Sequence, residues 1–251
     1  MYSHPTPIGN LILVKQVRDD WLRSSCASYV FEGNLDERVD CWTIALFHSI
    51  RNGKTHPLVK EFLVATVLAE LNLCPEPLFV SAAHKSVYGS FTQVEERLLV
   101  CRVPAGSAFV TQLVFQEAAL SLKKICSIFI SLTRVLEEFH LCGLCHGALD
   151  DDGVVVSKEG KVFLVNFWHI STQESNQYAD IVAVINLFSF LVSGADCKTV
   201  ADLCRRVRDG RANIYRGCLM HFRELESIAS SQVPAPYDKI MACLERIPQY
   251  Q

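Results

Sequence analysis

The chain has 251 residues, half of them hydrophobic, with a mean hydropathy of +0.20 and a formal charge of −3 from 24 basic and 27 acidic residues. A chain of this size buries about 75% of its unfolded surface, so one or two domains with a sizeable core are expected, and collagen-like, disordered and disulfide-stapled classes are excluded. The charges read as interspersed, which predicts neither a nucleic-acid footprint nor a polybasic membrane patch.

Taken in order, residues 11–14, 29–31 and 41–47 are apolar, β-favouring runs that predict strands, with a loop over 18–28. Beyond the turn signal Arg51-Asn52-Gly53-Lys54, Leu58, Phe62, Ala65, Leu68 and Ala69 recur at helical spacing behind Pro57 and predict a helix over 56–73. Strands at 78–80 and 98–103 follow, and then a break at Pro104-Ala105-Gly106. From there the period is helical: helices are predicted over 119–140, 180–192, 214–227 and 237–247. The second of these is nearly all apolar and belongs in a core. Its apolar run, 181–192, is broken by Asn186 and Ser189 and falls short of the roughly 20 residues a bilayer needs. No signal peptide is expected either, because the run at 11–14 is short and lacks a basic leader.

Strands, then a break, then helices predict a small first lobe over 1–103, a hinge at 104–107 and a helical second lobe over 108–251. The eleven cysteines, an odd number set among apolar neighbours, read as buried, reduced thiols of a cytosolic or nuclear protein. Cys142-Gly143-Leu144-Cys145-His146 matches a haem-attachment or redox pattern, but it sits at a predicted helix end and no second Cys/His pair has the spacing to complete a zinc site. Packing is the reading favoured for it.

Residues 146–168 carry the most specific pattern. His146-Gly147-Ala148 closes a predicted helix, a loop runs through Asp150-Asp151-Asp152-Gly153, two apolar strands flank the turn at 158–161, and Asn166-Phe167-Trp168 follows. This order resembles a protein kinase, in which a helix ends at His-Arg-Asp, the loop finishes in Asn, and a hairpin leads into Asp-Phe-Gly. The resemblance implies an α+β, bilobal protein-kinase-like fold: a small antiparallel sheet with one helix, then a mainly helical lobe.

On that frame the chemistry is missing. Phosphoryl transfer uses a carboxylate on the nucleophile, an Asn and an Asp on Mg²⁺, a strand Lys on the phosphates and a Gly-rich loop above them. The aligned residues are Ala148 for the base, Gly153 for the Asn, Asn166 for the metal Asp and Ala45 for the Lys. No Lys or Arg occurs from 41 to 50, and the loop at 19–27 has no Gly. Each lost transition-state contact costs about 3–4 kcal/mol, so a pseudokinase is expected, with no ATP or Mg²⁺. The alternative is a residual kinase that borrows Asp150, Asp151 or Asp152.

The resemblance assigns the remaining positions too. Glu61 stands at the αC Glu and, without a Lys to pair, is expected at the surface. Asp180, opening its helix, stands at the helix-F Asp that holds backbone beside the catalytic-loop His, here His146. Phe167 keeps its place, and Trp168 replaces a Gly; it is either a core aromatic or bulk that fills the nucleotide space with Trp42 or Phe47. The polar stretch 170–179 lacks Ala-Pro-Glu, so no peptide-substrate platform is expected.

Finer detail resembles the Bub checkpoint kinases and pseudokinases of the kinetochore, including divergent kinetoplastid members. The shared features are His146-Gly147, the tract Lys60-Glu61-Phe62, the stretch 96–106 and the ending 236–246. That resemblance implies a nuclear, kinetochore protein-interaction module in chromosome segregation or checkpoint signalling. Its partners would be kinetochore or checkpoint proteins, not nucleic acid or membrane, and it would be a monomeric domain of a longer protein. An unrelated mixed α/β domain is the remaining reading.

Overall fold

Short apolar, β-favouring runs punctuate the first hundred or so positions, and the backbone there forms one antiparallel sheet. In the computed structural model, residues 12–19, 26–33, 41–51, 57–82, 94–104, 106–114, 120–173, 175–231 and 237–250 are described. The strands are β1 (Ile12–Asp19), β2 (Cys26–Gly33), β3 (Cys41–Arg51), β4 (Glu76–Ala82) and β5 (Val94–Val103), in the order β1-β2-β3-β5-β4. All their pairings are antiparallel. The loop expected over 18–28 is shorter than predicted, since strand structure reaches Asp19 and resumes at Cys26.

Helix α1 (Pro57–Glu70) packs on β4 and β5, burying Glu61, Ala65 and Leu68, while Leu63, Val67 and Leu71 face outward at 62%, 63% and 50% exposure. The helix stops because Asn72 takes a left-handed φ of 59°, which lets the Leu73 N–H reach back to the Leu68 carbonyl at 3.1 Å. These strands and this helix lie in a unit formed by Met1–Ala108 with Val165–Trp168.

The second unit is Phe109–Leu164 with His169–Gln251. The expected division lay at 104–107 and did not include the separation of 165–168 from its flanks. A short strand β6 (Ala108–Phe109), the hairpin β7 (Val154–Val156) and β8 (Val162–Leu164) make a three-stranded sheet, and α2 (Val110–Val114) follows β6. The long helix α3 (Leu122–Leu141) is started by Ser121, whose hydroxyl accepts the Lys124 N–H at 3.2 Å. It packs on α4 (Ser175–Val192), α7 (Tyr237–Arg246) and β8, and its core is aromatic: Phe129 meets Phe188 edge-on at 5.5 Å, and Phe188 meets Phe222 at 6.1 Å. Each such buried side chain contributes about 1.5–3 kcal/mol.

The apolar helix expected at 180–192 is longer, starting at Ser175 rather than at Asp180. Its two polar interruptions are accounted for. Ser189 is fully buried and donates to the Ile185 carbonyl at 3.2 Å, and Asn186 accepts the Val200 N–H at 3.3 Å. That second bond helps start α5 (Val200–Arg208), a helix the periodicity reading did not predict. The helix expected at 214–227 is a 3-10 stretch, Asn213–Cys218, continued by α6 (Leu219–Ser230). The chain is therefore α+β, and among the described residues no helix is long and apolar enough to cross a membrane.

Candidate functional site

Helices α3 and α4 of the second unit and the segment at 146–147 meet at one carboxylate. Helix α3 ends when Gly143 takes a left-handed φ of 74°, the chain crosses to Ser171 through a two-way backbone pairing with Cys145 (2.8 and 3.0 Å), and His146 is carried inward to full burial. Asp180, on the second turn of α4 and 1% exposed, meets it there. Its Oδ2 accepts the His146 N–H at 2.7 Å and its Oδ1 accepts the Gly147 N–H at 2.9 Å. His140, on the last turn of α3, donates from Nε2 to Oδ2 at 3.0 Å, because a carboxylate can only accept. The other ring nitrogen pairs with the Tyr237 hydroxyl of α7, whose phenol is pushed upward by burial.

Gly147 is fixed by geometry. It has φ 79°, and a Cβ there would sit 2.6 Å from the His169 carbonyl oxygen, so no side chain fits. Any side chain in this place would need the His169 backbone to move. Ala148 is exposed. The three aspartates next along fold onto one another: Asp150 Oδ1 accepts the Asp152 N–H at 3.2 Å, its carbonyl accepts the Gly153 N–H at 3.0 Å, and Asp152 is only 3% exposed. The loop is thus less solvated than its composition suggests. Gly153 is buried, with Asp150 backbone atoms 3.3 Å from where its Cβ would be.

His140, Cys145 and Asp180 also offer one ligand atom each within 4.8 Å of one another, a set that admits a cation. Those atoms are engaged already. Cys145 Sγ donates to the Gln173 carbonyl at 3.1 Å, and Asp180 holds three N–H donors. A metal would have to displace the His140 proton and break the Cys145 contact, so the cluster is complete as a hydrogen-bonded anchor. Of the nine cysteines whose side chains are described, all free, eight are buried and Cys142 is exposed, which corrects the expectation of uniform burial. Burial pushes Cys126 and Cys243 up to about 12.

The first unit holds the other candidate residues. Glu61 was expected at the surface; that is overturned, for it is 2% exposed. The reason is the segment Val165–Trp168: Asn166, at a left-handed φ of 67°, donates its N–H to Glu61 Oε1 at 2.8 Å, and the Phe167 backbone contributes as well. Glu61 Oε2 is buried and has no hydrogen-bond partner among the described residues. Desolvation outweighs these bonds and pushes the Glu61 carboxyl up to about 7. Its charge in turn adds to the rise of the neighbouring Cys74 and Cys101 thiols, which burial dominates.

Phe167 is buried and opens the 3-10 turn Phe167–His169. Ala45 lies in β3, paired with Tyr29 and Val100. The side chains of Ala45, Trp42, Phe47 and Trp168, and with them the filling of a nucleotide space by Trp168, lie outside the described residues, as does the glycine-free loop at 20–25. Of the residues singled out in the sequence, His146, Gly147 and Asp180 come together in one cluster, and Glu61, Asn166 and Phe167 in another. Sequence reasoning did not single out His140 or Tyr237. The signal for His140 was its place on the last turn of α3, six residues before His146. No protein-family model matches the chain, and a search of curated proteins finds no match to it.

Proposed function

We propose that this chain is a catalytically inactive, bilobal protein-kinase-like domain of the Bub type that acts as a protein-interaction module at the kinetochore. The observation that carries the reading is Asp180: a buried carboxylate on an apolar helix accepts the consecutive N–H groups of His146 and Gly147 at 2.7 and 2.9 Å. In the kinase frame a helix-F Asp does this for the catalytic loop. Glu61 supports it from the other cluster, since an αC Glu that reaches the residue in place of the metal Asp keeps the frame after the Lys has gone.

The catalytic role is argued against by the residues themselves. Ala148 and Asn166 cannot act as the carboxylates that orient a hydroxyl and hold Mg²⁺ tightly, and Gly147 leaves no room for the loop Arg. A phosphotransfer assay with Mg-ATP and a panel of protein substrates tests this. The expected result is no transfer above the level of an Asp150→Asn/Asp151→Asn/Asp152→Asn variant. Turnover that this variant abolishes would establish the residual-kinase alternative. Imaging of the tagged chain through mitosis tests the setting: kinetochore signal is expected, and its absence there refutes the placement.

A further inference from the structure

Charge is not spread evenly along this chain. From Lys198 to Arg223 seven residues are Lys or Arg and two are Asp or Glu, against 24 and 27 overall, which leaves 17 basic and 25 acidic residues elsewhere. Lys198, Arg205, Arg208, Arg211, Arg216 and Arg223 are all exposed.

Helix stability explains only part of this. Arg205, Arg206 and Arg208 sit in the last turn of α5, where cations favour the dipole, and Arg205 pairs with Asp202 at 3.2 Å. Arg208 has its neighbour Asp209 at 3.4 Å, an exposed pair worth little. The dipole effect ends with that turn. Arg211, Arg216 and Arg223 lie beyond it and are in no ion pair among the described residues.

The topology gathers these residues. Val200, Leu203, Cys204 and Val207 form the buried side of α5, so Arg205 and Arg208 are on its outer side. The 3-10 stretch runs straight into α6, and Arg216, Met220, Arg223 and Ser227, spaced by four, three and four, are all exposed along one stripe. Helices α5 and α6 pack on each other, and Cys204, buried on α5, is raised by burial and by Glu226, with Arg223 of α6 and Arg208 of α5 acting in the opposite sense. Two large apolar side chains stand in the same surface, Ile214 at 75% and Met220 at 78% exposure.

We infer that the surface made by α5, the 3-10 stretch and α6 docks an acidic protein segment that also carries apolar side chains. Arginine and methionine are the side chains enriched where proteins meet, and lysine is depleted there. A nucleic-acid backbone would answer the arginines but leave Ile214 and Met220 with nothing to cover them. A segment with carboxylates and leucine-like residues answers both. This surface names the partner chemistry of the interaction module proposed above, and it rests on that reading only in taking docking as the chain's business.

The test is fluorescence anisotropy of the full chain with a labelled peptide that alternates Asp or Glu with Leu and Phe. Controls are the same peptide with Lys at the acidic positions, and a double-stranded DNA oligonucleotide. The acidic peptide is expected to bind and to weaken as salt rises. Arg211→Glu/Arg216→Glu/Arg223→Glu is expected to weaken it about tenfold or more, Arg→Gln at the same three positions less, and Ile214→Ala/Met220→Ala several-fold. No binding, binding unmoved by the charge reversal, or tighter binding to the DNA overturns the inference. The substituted side chains are exposed, and melting temperatures equal to the parent's verify folding. The outcome is independent of the phosphotransfer assay, so a phosphate-transferring chain with this surface and an inactive chain without it are told apart.

Discussion

Asp180 and Glu61 are both buried carboxylates, 1% and 2% exposed, yet the two units treat them differently. Asp180 meets three N–H donors on its two oxygens, from His146, Gly147 and His140. Glu61 has backbone donors from Asn166 and Phe167, and its Oε2 has no partner among the described residues. The lesson concerns how a buried charge is kept. Enough donors turn a carboxylate into a fixed fastening for backbone, whereas too few make its proton part of the fold.

The comparison can be broken hardest at Asp180. Asp180→Ala strips the acceptor from two backbone N–H groups and an imidazole at once, and the expected loss is about 4 kcal/mol in urea unfolding, with Asp180→Asn losing less. An Ala variant within about 1 kcal/mol of the parent would mean the anchor carries little.

Glu61 gives the next largest effect, and one that depends on pH. Its folded pKa of about 7 lies above the ordinary 4.5, so the native state holds this proton more tightly than the unfolded chain does. Its contribution to stability is full below about 4.5 and declines as pH rises towards 7, by up to about 3 kcal/mol. Glu61→Gln is expected to flatten that part of the stability curve and to be the more stable protein at pH above 7. Parallel curves for the two proteins would remove the buried-proton account.

Two glycines sharpen the picture at smaller scale. Gly147 and Gly143 have similar left-handed φ, 79° and 74°, but a Cβ at Gly147 meets the His169 carbonyl oxygen at 2.6 Å, while at Gly143 nothing lies within 4 Å. Gly143→Ala is therefore expected to cost about 1 kcal/mol for the backbone alone, and Gly147→Ala clearly more, as seen in thermal unfolding. Equal costs would contradict the close approach. The smallest test is chemical. Among the nine cysteines whose side chains are described, native alkylation read by mass spectrometry should modify Cys142 first and reach the eight buried thiols only on unfolding.

Much of this was legible in the sequence where one element's own residues decide the outcome. The spacing of apolar side chains at 119–140 and 237–247 found α3 and α7 to within a few residues, and the break near Pro104 lies close to the boundary after Ala108. Helix α5 was missed although Thr199 caps its start, with the Asp202 N–H donating to the Thr199 hydroxyl at 3.2 Å, and Gly210 closes the far end at φ 75°. Its stripe of four buried residues is short and hidden among arginines. The early start of α4 escaped notice because Ser175-Asn176-Gln177-Tyr178-Ala179 carries no apolar rhythm.

What was not legible depends on distant chain. Glu61 is buried by a segment 105 residues away, and nothing near Glu61 announces that. Gly147 is visible as a glycine, but the carbonyl that excludes its side chain belongs to His169. Asp180 was singled out through the kinase resemblance alone, and its partner His140 lies 40 residues away in the chain, with Tyr237, which pairs with His140, 97 residues from that histidine.

The central claim is that a kinase-like frame persists here without the groups that hold a nucleotide. It is tested most directly by a thermal-shift titration of the full chain with Mg-ATP. The account predicts no shift at millimolar nucleotide. A saturable stabilisation approaching the roughly 2.7 kcal/mol that a specific ligand supplies at about 100 times its dissociation constant would contradict it.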